Sequence, residues 1–159
     1  MAQTIRTAVE QDLDAIAAVE AECFPAAEAA TRAEFAERLR YYGNHFWLLW
    51  EDETLAAFVD GMVTDRADLT DDLYADAALH DAHGAWQMIF GVNTLPDYRR
   101  HGYAGQLLER AIAGERVRLA MGLSLQPVQT RTLLTEGMDQ AAIAEQYYEP
   151  PLVNIIPYA

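Results

Sequence analysis

The segment that most limits what this chain can fold into is residues 88–113, M-I-F-G-V-N-T-L-P-D-Y-R-R-H-G-Y-A-G-Q-L-L-E-R-A-I-A. Ile89, Phe90 and Val92 form the short apolar run of a strand buried in a sheet. Pro96 cannot extend a central strand and turns Leu95 away from helical geometry, so the strand ends there. After two arginines and the small residues Gly102, Ala104 and Gly105, the apolar residues Leu107, Leu108, Ala111 and Ile112 recur at helical spacing. The predicted order is strand, cationic turn, helix.

That order has chemical content. The first turn of a helix presents N–H groups with no internal partner beside the positive end of the macrodipole. Small residues allow a phosphate to approach the backbone, and Arg99 and Arg100 add positive charge. The segment is neither a Walker loop, because no Lys-Ser/Thr pair follows the glycines, nor the dinucleotide G-x-G-x-x-G. From the residues alone two readings stand: a pyrophosphate site, or an ordinary connection with two surface arginines.

The rest of the chain supplies a sheet for this unit. Residues 3–9 alternate as a first strand. Residues 10–24 form a helix with Leu13, Ile16, Ala17 and Cys23 on one side and Glu10, Asp12 and Asp14 early, where the dipole favours acids. Pro25 stops it. Thr31 and Glu34 make a capping box for a second helix carrying Phe35, Leu39 and Tyr42, which Gly43 closes. Residues 45–50 and 55–63 form a hairpin about Asp52 and Glu53. A short helix is predicted near Leu69, Leu73 and Tyr74. The fold class is therefore α+β: a mixed, mostly antiparallel sheet with helices on both faces.

Residues 1–159 read as one domain. No run of about 18 apolar residues is present, so no membrane span is expected. A signal peptide is not expected either, since no basic region leads into an apolar run at the N-terminus. Cys23 is the only cysteine, which rules out an internal disulfide and fits a reducing cytoplasm. A net charge of −14 argues against nucleic acid as a partner and favours a cationic small molecule or basic peptide, unless the acidity serves solubility alone. Lysine is absent.

Arg99-Arg100-His101-Gly102-Tyr103-Ala104, placed after a strand and Pro96-x-Tyr98-Arg99 and before an amphipathic helix, resembles the R/Q-x-x-G-x-G/A acetyl-CoA signature of the GNAT superfamily of N-acetyltransferases. The resemblance spans roughly residues 3–113 and is nearest to bacterial relatives of arylalkylamine N-acetyltransferases. Residues 114–159 depart from the family. Tyr147-Tyr148-Glu149 resembles its tyrosine segment, but Pro150-Pro151 follows and the aromatic-glycine motif is missing. Strand pieces at 123–128 and 132–134, a helix over 138–148 and a closing strand over 152–156 are predicted there.

The resemblance implies transfer of an acetyl group from acetyl-CoA to an amine by direct attack on the thioester, without a covalent enzyme intermediate, and the acidic net charge points to a small cationic amine. It assigns cofactor contacts to the strand residues Val92, Asn93 and Thr94, with backbone groups at Val92 and Thr94 meeting the thioester and pantetheine. It lays the pyrophosphate on Arg99, Arg100, His101, Gly102, Tyr103, Ala104 and Gly105. Tyr148 is the candidate donor to the leaving thiolate. Glu28 and His83 are candidates for holding or deprotonating the ammonium. The family-style histidines on the signature strand are replaced by Met88 and Phe90. Two other classes remain open: a CoA-binding regulatory module without turnover, and an interaction domain with no cofactor. Homodimer formation is left open, and no metal is expected.

Overall fold

A computed structural model of the chain describes residues 2–66, 69–120 and 153–155, with side chains described as far as residue 113. The N-terminal strand β1 (Gln3–Thr7) pairs antiparallel with β2 (Phe46–Glu51), which pairs with β3 (Thr54–Asp60). β3 in turn pairs antiparallel with β6 (Gly91–Thr94). A second ladder runs from β4 (Val63–Thr64) to β5 (Trp86–Ile89) to β7 (Val153–Ile155), the last pairing being parallel. The sheet is therefore mixed and mostly antiparallel. β7 falls inside the predicted closing strand.

Side-chain alternation on the two central strands builds two cores. Phe46, Leu48, Leu55 and Phe58 point to the face covered by α1 (Leu13–Cys23) and α2 (Arg32–Tyr42), where they meet Ile16, Val19, Phe35 and Tyr42. Trp47, Leu49, Ala57 and Val59 point to the opposite face, against Leu107, Leu108, Ala111 and Ile112 of α4 (Tyr103–Ala120). Helices thus cover both faces. Of the aromatic residues on β2 and β5, Phe46, Trp47 and Trp86 are buried in the core.

Local rules act where the sequence placed them, with some changes. Thr31 Oγ1 accepts from Glu34 N–H at 3.2 Å while the Glu34 carboxylate accepts from Thr31 N–H at 3.1 Å, closing the capping box of α2. Gly43 is the C-cap, but at φ −54° it is right-handed, and the chain passes into a 3-10 turn, Gly43–His45. The first turn of the predicted helix at residue 10 is likewise 3-10, Glu10–Asp12. There Asp12 accepts from Val9 N–H at 2.8 Å and takes both terminal nitrogens of Arg6, at 2.7 and 2.8 Å. The short helix α3 is Asp71–Ala75.

The strand predicted as continuous through residues 89–92 is broken at Phe90, and its neighbour is broken at Gly61 and Met62. Phe90 N–H to Asp60 O at 2.7 Å and Met88 N–H to Met62 O at 2.8 Å carry the pairing across the break. The buried Gln87 amide donates to the carbonyls of Gly61, Met62 and Met88, adding side-chain hydrogen bonds at the break. Gly61 is required here by contact alone: a Cβ on it would lie 1.7 Å from Met88 O. An apolar run cannot reveal such a break, because hydrophobicity reports burial and not ladder continuity.

Candidate acyl-CoA site

Among the described residues β6 (Gly91–Thr94) has a ladder partner on one edge only. β7 runs beside β5 up to Ile89, and among the described residues no strand flanks residues 91–94 on that side. Leu95 N–H donates to Ala56 O at 2.9 Å. The alternation of an antiparallel ladder then turns the N–H and C=O groups of Val92 and Thr94 outward, to the open edge. The Thr94 carbonyl accepts from Arg99 Nε at 3.1 Å and lies 3.4 Å from Cys23 Sγ, so the end of α1 and the signature turn are both tied to it. Cys23 is half-buried, and burial raises its thiol pKa. That makes it a packing group and not an activated nucleophile.

Beyond β6, Pro96–Tyr98 forms a 3-10 turn, with Tyr98 N–H on Leu95 O at 2.9 Å and Arg99 N–H on Pro96 O at 3.3 Å. From Arg100 onward this pairing stops. The amides of residues 100–105 donate to no acceptor among the described residues, and the first helical bond of α4 is Gln106 N–H to Gly102 O at 3.1 Å. Arg100 at φ 65° and Gly102 at φ 79° are both left-handed. Left-handed residues interspersed in a turn curl successive N–H groups into a concave row, the geometry that receives an anion. A Cβ on Gly102 or Gly105 would meet nothing within 4 Å, so the turn is uncrowded at both glycines. The turn fits a diphosphate: it offers bare amides, room to approach them and exposed arginines beside them.

The other predicted residues lie as follows. Arg99, Arg100, His101 and Gly102 are exposed, and His101 Nδ1 lies 3.0 Å from Tyr98 O. Tyr103 is half-buried and donates its hydroxyl to Glu51, whose carboxylate raises the tyrosine pKa. Glu28 is exposed in the loop after α1, its N–H on Pro25 O at 2.9 Å. His83 is exposed in the loop before β5, its N–H on Asp81 Oδ1 at 2.9 Å. Tyr148 lies outside the described residues. His80, in the loop that also carries His83, is half-buried: its Nδ1 accepts from Val63 N–H at 3.0 Å and its ring packs on Tyr42 and His45.

Asn93, predicted as a strand contact, is more specialised than that. Its side chain is 1% exposed, and neither its amide nitrogen nor its amide oxygen has a hydrogen-bond partner among the described residues. It faces the α1/α2 side, with three charged residues the sequence reading did not single out. Arg38 Nη1 donates to Asp60 Oδ2 at 3.2 Å, Arg38 Nη2 donates to Tyr74 O at 3.2 Å, and the guanidinium lies between the rings of Phe35 and Phe90, 5.2 Å from each centroid. Burial raises the Asp60 carboxyl to about 6, against the pull of Arg38. Glu20, on α1, is raised to about 8, chiefly by burial and then by Asp60. A signal for Glu20 was present: it continues the apolar stripe of Leu13, Ile16 and Ala17, where a solvated glutamate does not belong.

Comparison with known proteins agrees with this geometry. The acetyltransferase (GNAT) family profile matches residues 13–125. Among solved structures, a GphF GNAT-like decarboxylase in complex with isobutyryl-CoA is 32% identical at a TM-score of 0.65, over 72% of this chain and 60% of that one. The loading GNATL domain of CurA from Lyngbya majuscula is 19% identical at 0.65, over 72% and 58%. AAC(6')-Iy in complex with a CoA bisubstrate analogue is 16% identical at 0.55, over 100% and 98%. The chain therefore spans about 60% of the length of the first two. No curated protein matches. Among the described residues no helix is long and apolar enough to cross a membrane. With the family profile covering more than half its length, the chain belongs to the acetyltransferase (GNAT) family, consistent with acetyl-CoA as co-substrate.

Proposed function

We propose that the protein transfers the acetyl group of acetyl-CoA to the primary amine of a small cationic acceptor. The supporting observation is the continuity between the open edge of β6 and the unpartnered amides of residues 100–105. A diphosphate seated on those amides extends its pantetheine arm along Val92–Thr94, where outward backbone N–H groups stabilise the charge that develops on the thioester oxygen. The amine attacks the carbonyl carbon, the C–S bond breaks, and CoA leaves as a thiolate that takes a proton. Tyr148 is the proposed donor of that proton. The net charge of −14 draws in a cation, and Glu28 and His83 are exposed polar groups on loops through which it would arrive.

A second reading rests on the decarboxylase at 32% identity. The same oxyanion-stabilising edge serves loss of CO2 from a 2-carboxyacyl-CoA, because that reaction also places negative charge on the thioester oxygen. One panel separates the two. Acceptor-dependent release of free CoA from acetyl-CoA supports acetyl transfer. CO2 release from malonyl-CoA without an acceptor supports decarboxylation. Binding of CoA with neither reaction leaves a silent CoA-binding module.

A further inference from the structure

The acetyl-transfer reading needs a group to take the acceptor's ammonium proton, and the signature strand carries none. The buried polar island on the α1/α2 side of β6 contains one. Asn93 stands between Val92 and Thr94 on the thioester strand, its side chain on the opposite face from Val92, which packs toward α4. Its amide lies alongside the Glu20 carboxyl, close enough to temper that group's pKa but outside hydrogen-bond geometry. A Cβ on Gly91 would lie 3.1 Å from Asp60 Oδ1 and 3.6 Å from Asn93 Nδ2, so Asp60 and Asn93 converge on the same spot. The Tyr42 hydroxyl, within electrostatic reach of Arg38 and Asp60, is also buried without a partner among the described residues.

Fully buried amides and hydroxyls left without partners mark the place of an ordered water or a polar guest. Four elements converge here, and the guest lies one residue from the edge where the thioester would sit. Asp60 is engaged by Arg38; the Glu20 carboxyl makes no hydrogen bond among the described residues. We infer that Glu20 is the general base of acetyl transfer, taking the ammonium proton of the acceptor through one water held by the Asn93 amide. This inference rests on the acetyl-transfer reading above.

The step balances as follows. R-NH3+ gives one proton through the water to the Glu20 carboxylate, leaving R-NH2. That nitrogen attacks the thioester carbonyl and forms the C–N bond. Collapse breaks the C–S bond, and the second nitrogen-bound proton ends on the thiolate, giving R-NH-acetyl and CoA-SH. Glu20 then returns its proton to water. The charged and titratable groups facing Glu20 are Glu34 and Arg38 from α2, Asp60 from β3 and Cys23 from its own helix, with Arg99 beyond Cys23. The raised carboxyl, at about 8, suits a base that must hold a proton and release it near neutral pH.

The test is the pH dependence of kcat/KM for an acceptor accepted by the wild type, compared with Glu20→Gln, together with titration calorimetry of CoA. Expected is a fall of about 100-fold or more in kcat/KM and loss of the ionisation near 8, with CoA affinity unchanged. A Glu20→Gln enzyme with wild-type rate and an unchanged profile overturns the inference and leaves acetyl transfer standing. A wild type that binds CoA but acetylates no amine overturns both. If Glu20→Gln does not fold, the Glu20 carboxyl 13C shift is followed in the wild type. Titration near 8 that moves when an amine binds supports the inference, and titration in the ordinary glutamate range overturns it.

Discussion

Arg38 and Asp60 form an ion pair at 3.2 Å with side chains only 6% and 1% exposed, on the sheet face that also carries Glu20 and Asn93. Removing one member of such a pair leaves the other charge buried and unpaired. Arg38→Ala is therefore expected to destabilise the fold by about 3–5 kcal/mol, read from urea denaturation. The paired change Arg38→Met with Asp60→Leu removes both charges and should recover most of that loss.

Glu20 and Asp60 also set the pH dependence of stability. Each holds its proton more tightly folded than unfolded, so the stability it contributes is complete at low pH and is lost as pH rises. For Asp60 the window runs from 3.8 to about 6, and for Glu20 from 4.5 to about 8. The thermal midpoint of the wild type should fall between pH 5 and pH 8, and Glu20→Gln should fall less. Parallel curves for the two proteins would show that Glu20 titrates normally.

Asp12 acts in the opposite direction. The two bonds from Arg6, then the Val9 amide, hold its carboxyl below the usual range. Its stabilisation is present near neutral pH and is lost as pH falls through that lowered value. Asp12→Ala should cost about 1–2 kcal/mol, measured at pH 7 by urea denaturation, with the difference from wild type shrinking in acid.

Gly102 separates binding from folding less cleanly than its sequence context suggests. At φ 79° it lies where a β-branched residue is strained, although a Cβ there would meet open space. Gly102→Val is expected to cost about 1–2 kcal/mol of stability and to abolish CoA binding by calorimetry. Gly61→Ala is the contrasting case. Its Cβ would collide with Met88 O, so loss of cooperative folding by circular dichroism is expected.

Much of the architecture was legible because it follows from short-range rules. Thr31 and Glu34 fixed the start of α2, Pro96 ended the strand, and the spacing of Leu107, Leu108, Ala111 and Ile112 described the buried face of α4. What periodicity cannot carry is a contact between distant residues. The break at Phe90 depends on Gly61 and Gln87 meeting it across the sheet, and His80 is held by Val63. The site divided in the same way. The amide row was readable from small residues before a helix, and Glu20 stood out only by its place on an apolar stripe, whereas Arg38 and Asp60 look like ordinary charged residues until folding pairs them on the face that carries Asn93.

The amides of residues 100–105 are proposed to receive the pyrophosphate of coenzyme A. Amide chemical shifts of the 15N-labelled protein, followed during titration with CoA, test it directly. The amides of residues 100–105 should move together and saturate with the calorimetric affinity. Binding that leaves those amides unmoved, or no binding at all, would contradict it.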